Sequence, residues 1–201
     1  MSVLKTKVVR HAIDYAALVA LSISSKPSWL KGAQFKMNNS KIIPVAKAMH
    51  REYYEALAQG NTPALAKLGT QAHSSNLAGI LSRRQRGRRF EWELVRYTKP
   101  LFYPRIVDQK VWTLTPSSPT TRQVIVSISS VQRLVEYDDM NGGAVVSEKL
   151  TEKVENMMMV SEIGHRTFKQ TDWKIHGFLE PMTVELYEDT KRLNDEALLE
   201  E

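Results

Sequence analysis

The sequence predicts an α+β domain in which helices come first and a sequential antiparallel sheet follows. Three observations carry that prediction. Apolar residues recur at helical spacing through residues 45–59. From residue 90 onward, apolar and polar residues alternate in segments separated by Pro, Gly and Asn. The change falls at one junction, Leu81–Tyr97. There Arg83, Arg84, Arg86, Arg88 and Arg89 run directly into Phe90, Trp92 and Leu94, which alternate with Glu91, Glu93 and Val95.

Residues 3–25 read as a helix. Leu4, Val8, Ala12, Tyr15 and Val19 share one helical face, and Leu18, Leu21 and Ile23 widen it. Such a face needs a partner: the domain itself, another protein or a bilayer surface. The basic start, with Lys5, Lys7 and Arg10, suits anionic lipid. Leu4, Val8, Tyr15, Leu18 and Val19 are the candidate membrane or partner contacts. Residues 26–43 read as an irregular linker, so that residues 1–43 form an extension. Lys26, Lys31, Lys36 and Lys41 alternate there with Trp29 and Phe35. That pattern suits a segment lying along a nucleic-acid backbone. It equally suits a tether whose aromatics dock on the domain.

The domain itself spans residues 44–181. Its first helix is expected over 45–59, started by Pro44 and stopped by Gly60 and Asn61. Val45, Met49, Tyr53 and Leu57 make its inner face. A short helix follows, with Thr62 as N-cap and Pro63 in the first position. A third helix starts near Ser74, buries Leu77, Ile80 and Leu81, and runs out through the arginines to Gly87. Strands are expected at 90–97, 105–114, 122–137, 150–163 and 171–179. In the third, Val124, Val126 and Ile128 share one face while Val131 and Val135 fall on the other. That phase change predicts a bulge or strong bend around Ser127–Ser130. Of the run Met157, Met158 and Met159, at least one side chain must be core. Residues 182–201 read as a charged helix with a thin apolar stripe. Helices preceding a long, bent meander predict a sheet curled around its first helix, a cone with room for a pocket.

The chain has 201 residues, 42% hydrophobic and 25% charged, which suits one domain with extensions. Its charge is unevenly placed. Residues 1–122 carry 20 Lys+Arg against 6 Asp+Glu, whereas residues 123–201 carry 8 against 16. The basic part points to a polyanion, either nucleic acid or an anionic membrane. The longest uncharged run near the start, Tyr15–Ser25, is well short of the ~20 apolar residues of a membrane span. The acid-free first 13 residues weakly resemble a mitochondrial transit peptide, although Asp14 and the apolar continuation argue against a complete one.

Several chemistries are excluded or unsupported. There is no Cys, hence no disulfide, thiolate metal site or cysteine nucleophile. His11, His50, His73, His165 and His176 have no metal-binding spacing, and no phosphate loop, dinucleotide fingerprint or nucleophile elbow occurs. Asp108 and His176 could meet inside a cone, but two dispersed polar residues are weak evidence for catalysis. No catalytic residue, metal or cofactor is expected.

The arginine run carries the most weight. A guanidinium stays charged and donates two parallel hydrogen bonds to phosphate. One or two such residues fit a solvated helix end; five in close succession fit it poorly. Together they would give a log–log salt slope of roughly −4. Nothing beside them offers a code for bases, so recognition would be by backbone and shape. The candidate RNA-binding residues are Arg83, Arg84, Arg86, Arg88, Arg89, Lys31, Lys36 and Lys41.

The chain also resembles a known family. The segments AKAMHREYYEALAQGN, TPALAKL, LAGILSRRQRGRRFEWELVRY, PRIVDQKVW, VIVSISSVQRLVEY and TDWKIHGFLEP follow one another as in the Tim-forty-four-like domain family. With only a short region ahead of the domain, the chain looks more like the ribosomal branch, mitoribosomal large-subunit protein L-forty-five and the fungal membrane-associated ribosome receptor. That resemblance implies a cystatin-like or NTF-two-like cone. It further implies a non-catalytic protein of the mitochondrial matrix, peripheral to the inner membrane and sited near the ribosomal polypeptide exit. Ribosomal RNA, neighbouring mitoribosomal proteins and the inner membrane or its insertase would be its partners, with no small-molecule substrate. The alternatives are an import-motor component and a small-molecule enzyme that uses the cone.

Overall fold

The computed structural model describes residues 2–27, 32–115 and 118–179, with side chains from residue 12 onward. Lys31, Trp29 and the 182–201 segment lie outside the described residues, as do the side chains of Leu4 and Val8. Among the described residues the fold is α+β, with four α-helices and then a five-stranded antiparallel sheet that does not close. In chain order the elements are α1 (Ser2–Ser24), α2 (Asn39–Gln59), α3 (Thr62–Leu68), α4 (Gln71–Ser82), β1 (Arg88–Tyr97), β2 (Arg105–Trp112), β3 (Thr120–Asp138), β4 (Ala144–Ile163) and β5 (Lys174–Leu179).

A long hairpin, β3–β4, is the spine. It turns through Asp139–Asn141 and two glycines in the left-handed region, Gly142 and Gly143. β2 and β1 lie end to end on the far edge of β3, beside Thr121–Ser127 and Ser130–Asp138 respectively. β5 pairs with the far edge of β4 over Asn156–Val160. Residues facing one another across an antiparallel pair share a face. Val124 pairs with Met159 and Val126 with Met157, so these four define an inner face, against which α2 lies. The main core joins them to Ile128, Ile175, Leu65 and Leu77, and to Ile42, Ala46, Met49, Tyr53 and Ala56 of α2. Met157 and Met159 are both fully buried.

A second, smaller core holds α1 on the domain. Leu18 and Phe35 pack with Ile163, flanked by Leu21, Met37 and Val111. Arg122 lies at the end of the inner face and secures the 35–39 segment. Its guanidinium donates to the Met37 carbonyl at 2.8 Å and to Asn39 Oδ1 at 2.9 Å, and it stands over the rings of Phe35 and Trp173. Burial lowers its pKa to about 10.

Five expectations need correction. Pro44 lies inside α2, because Ile42 is core and draws one more turn of helix ahead of it. Asn61, not Thr62, caps α3, its side chain accepting from Ala64 N. α4 begins at Gln71 and ends at Ser82, so the arginines are not helical. β4 begins six positions before Leu150, at Ala144, because the hairpin pairs Asp138 with Ala144. Of the bulge or strong bend expected at Ser127–Ser130, the bulge is absent: β3 keeps register with β4 from Thr120 through Glu136. The breaks fall instead on β1 between Leu94 and Arg96 and on β2 between Ile106 and Asp108, with smaller shifts where Tyr137 meets Val145 and Met159 meets Ile175. The apolar pattern of β3 changes phase because its inward residues become polar, at Ser130 and Gln132.

Candidate functional site

Two features of the domain carry concentrated charge, and they adjoin. The first is the turn between α4 and β1. Arg83 caps α4, and Gly87 adopts φ 77°, where a side chain is strained and a Cβ would meet Met140. The turn therefore delivers Arg88 and Arg89 into β1, paired with Asp138 and Tyr137. Three of the five arginines have intramolecular partners. Arg84 donates to the Ala58 carbonyl at 2.9 Å and lies over the Phe90 ring, and its burial lowers its pKa. Arg88 sits 3.7 Å from both Glu136 and Asp138. Arg89 bonds to Glu91 and Asp139 and covers the Tyr137 ring. Arg83 and Arg86 are exposed and make no side-chain hydrogen bond or ion pair among the described residues.

The second feature lies on the inner face beyond the apolar core. The β4 residues on the inward phase of Met157 and Met159 are Glu155, Lys153 and Thr151. They meet Ile128, Ser130 and Gln132 of β3. Glu155 accepts from four side chains. His50 Nε2 lies 3.1 Å from Oε2, and Gln132 Nε2 donates to the same oxygen at 2.8 Å. Lys153 Nζ is 2.8 Å from Oε1, and the Tyr54 hydroxyl donates to Oε1 as well. Trp92 Nε1 fixes Gln132 through its Oε1 at 2.9 Å, and the Trp92 and Tyr54 rings stack. Burial by itself raises the Glu155 pKa. The hydrogen bonds from His50, Lys153 and Tyr54, with the Lys153 charge, outweigh it and bring the group down to about 2. Burial, then the Glu155 charge, hold the Tyr54 phenol well above its ordinary value.

A carboxylate so saturated with donors is a weak base. Its chemistry is to fix the rings and cation around it. Beside it opens a groove of about 470 Å³, walled by Tyr54, Leu57, Phe90, Trp92 and Leu134, with Arg84, Lys149 and Lys153 also lining it. Phe90 and Trp92 also line a second groove of about 340 Å³, whose rim is acidic through Glu55, Glu91 and Glu93.

The remaining sequence candidates disperse. Lys36 and Lys41 are exposed, Lys41 within the first turn of α2. Leu18 is fully buried in the second core and so is unavailable to a membrane or partner; Val19 is half-buried and Tyr15 exposed. Asp108 on β2 and His176 on β5 stand on opposite edges of the β3–β4 hairpin and do not converge. No helix among the described residues is long and apolar enough to cross a membrane. His50, Tyr54, Gln132, Lys153 and Glu155 were not singled out by the sequence reading. The available signal was phase: Lys153 and Glu155 alternate in step with Met157 and Met159, which places two charges on a buried face. The chain matches no protein-family model and no curated protein.

Proposed function

We propose that the chain is a non-catalytic structural protein of the mitochondrial ribosome large subunit. It binds ribosomal RNA near the polypeptide exit and stands peripheral to the inner membrane. The reading starts from the resemblance across residues 44–181, with which helices followed by an antiparallel sheet agree. In its finer form the sheet is the cystatin-like or NTF-two-like cone, with α2 in its hollow. The observation that carries RNA binding is the pair Arg83 and Arg86, exposed beside three arginines that already have intramolecular partners. Two guanidiniums without an ion pair among the described residues, at a glycine-fixed turn, suit backbone phosphates of a structured RNA.

This division of labour changes the expected magnitude. With Arg83 and Arg86 as the phosphate contacts of the turn, their removal should flatten the salt slope of RNA affinity by about 2, rather than by the roughly 4 that all five would give. The test is sedimentation with large subunits at moderate salt. The Arg83→Glu, Arg86→Glu double variant should leave the subunit fraction while keeping its melting temperature. Undiminished co-sedimentation would refute RNA binding by this turn. Migration with the inner-membrane translocase instead of ribosomes would favour the import-motor alternative.

A further inference from the structure

Among the described residues, the hairpin leaves a strand edge open next to the basic groove. β5 covers β4 only over Asn156–Val160. From Ser147 to Glu155, β4 keeps unbroken register with β3, and among the described residues nothing pairs with its other side. That edge presents backbone donors and acceptors in extended geometry, a template for an added strand. The groove and the edge are continuous, since Lys149, Thr151 and Lys153 belong to both.

Charges along the edge are sorted by face. Outward-facing Glu148 pairs with Arg133 at 2.7 Å, and Glu152 lies 3.8 Å from Lys99. The outward acids are thus already compensated, and Leu150 between them is 66% exposed. The inward side is different. Lys149 has no ion pair among the described residues, and Arg84 bonds only a neutral carbonyl. Alternating charge on an edge discourages indiscriminate self-pairing. Here it also selects a complement, because the side facing the groove carries cations in excess.

We propose that the Ser147–Glu155 edge and the adjoining groove bind an extended segment of a partner protein by strand addition. The segment carries acidic residues at alternate positions, facing Lys149 and Arg84, with Lys153 between them already bound to Glu155. Apolar residues lie between them, facing Leu150. Neighbouring strands sit about 4.8 Å apart, so inward side chains of the added strand fall directly against the lysines. This site shares Arg84 with the neighbouring turn but uses neither Arg83 nor Arg86, and it does not depend on their role.

The test uses the full chain and a labelled, end-blocked peptide of about nine residues, with glutamate and valine alternating. Binding is read by fluorescence anisotropy. Two further peptides carry backbone N-methyl groups, one at alternate positions and the other at the intervening ones. Strand addition uses the amides of only one phase. One methylated peptide should therefore lose at least about tenfold in affinity and the other should bind as before. Replacing glutamate by lysine in the peptide, or Lys149→Glu in the protein, should each weaken binding about tenfold or more. Absent binding, equal tolerance of both methylation phases, or equal binding of the lysine peptide would overturn the proposal. So would a protein that sediments as a dimer through this edge, since a second copy would then be the occupant. The methylation comparison uses the unaltered protein and stands even if Lys149→Glu fails to fold.

Discussion

The two ends of the sheet's inner face share three elements, α2, β3 and β4, yet are held together by different means. At one end Val124, Val126, Met157 and Met159 meet Ala46 and Met49 in a buried apolar core. At the other, Ser130, Gln132, Lys153 and Glu155 meet His50 and Tyr54 in a network of charge-assisted hydrogen bonds. Burial of apolar area stabilises the first end without regard to direction. The second end is directional: each bond matters because its neighbours have been taken out of water. An apolar core suffers in proportion to what is removed. A polar network suffers most when one member is lost and the rest remain buried.

Truncation should expose that difference. Glu155→Ala leaves Lys153, His50 and the Gln132 amide facing an empty position. We expect it to cost about 4 kcal/mol in urea denaturation, as for one partner removed from a buried ion pair. Met157→Ala removes a fully buried side chain from the apolar end and should cost about 3 kcal/mol. Replacing the network jointly, with Glu155→Met and Lys153→Met, should recover much of the Glu155→Ala loss. If the joint variant is as unstable as Glu155→Ala, the network is not the isolated polar unit described here.

Acid should separate the ends further. The folded-state pKa of Glu155, about 2, lies below the 4.5 ordinary for glutamate. Its contribution is therefore complete above about pH 5 and is lost as pH falls toward 2. Allowing for the group's residual exposure, about 2 to 3 kcal/mol of stability should disappear across that window. Met157→Ala should keep this acid sensitivity, displaced to lower stability throughout. Glu155→Gln should flatten it. A Glu155→Gln variant with the full acid loss would assign the effect to other carboxylates.

The sequence conveyed the apolar end far better than the polar one. Helical spacing in α2 and alternation in β3 are repeated signals: they put Met49 on the inner face of its helix and Val124 and Val126 on one face of the strand, and of Met157, Met158 and Met159 they required at least one core side chain. The network has no period of its own. Its members come from α2, β1, β3 and β4, and His50 and Glu155 are 105 positions apart. Where the inward positions of β3 turned polar, the pattern mimicked a bulge around Ser127–Ser130. Counting phase from Met157 and Met159 back to Glu155 would have placed a charge on the inner face. The arginine run shows the same limit. Composition revealed five cations but could not show that Glu136, Asp138 and Asp139 arrive beside them from the far end of β3.

The smallest expected effects lie at that turn, and they sharpen the contrast between bonded and unbonded polar groups. Arg84→Ala loses the bond to the Ala58 carbonyl and the stacking on Phe90, which tie the end of α4 to α2 and β1. A cost of about 1 kcal/mol is expected, read as a lower denaturation midpoint. Arg83→Ala and Arg86→Ala remove no side-chain bond among the described residues and should stay within about 0.5 kcal/mol of the parent protein. RNA affinity should rank the same variants in the opposite order, with Arg83→Ala and Arg86→Ala the more damaging. Arginines that hold the turn would then be distinct from arginines that use it. If Arg84→Ala weakened RNA binding as much as Arg83→Ala, with no loss of stability, all the turn's cations would act as one undivided patch and the division would fail.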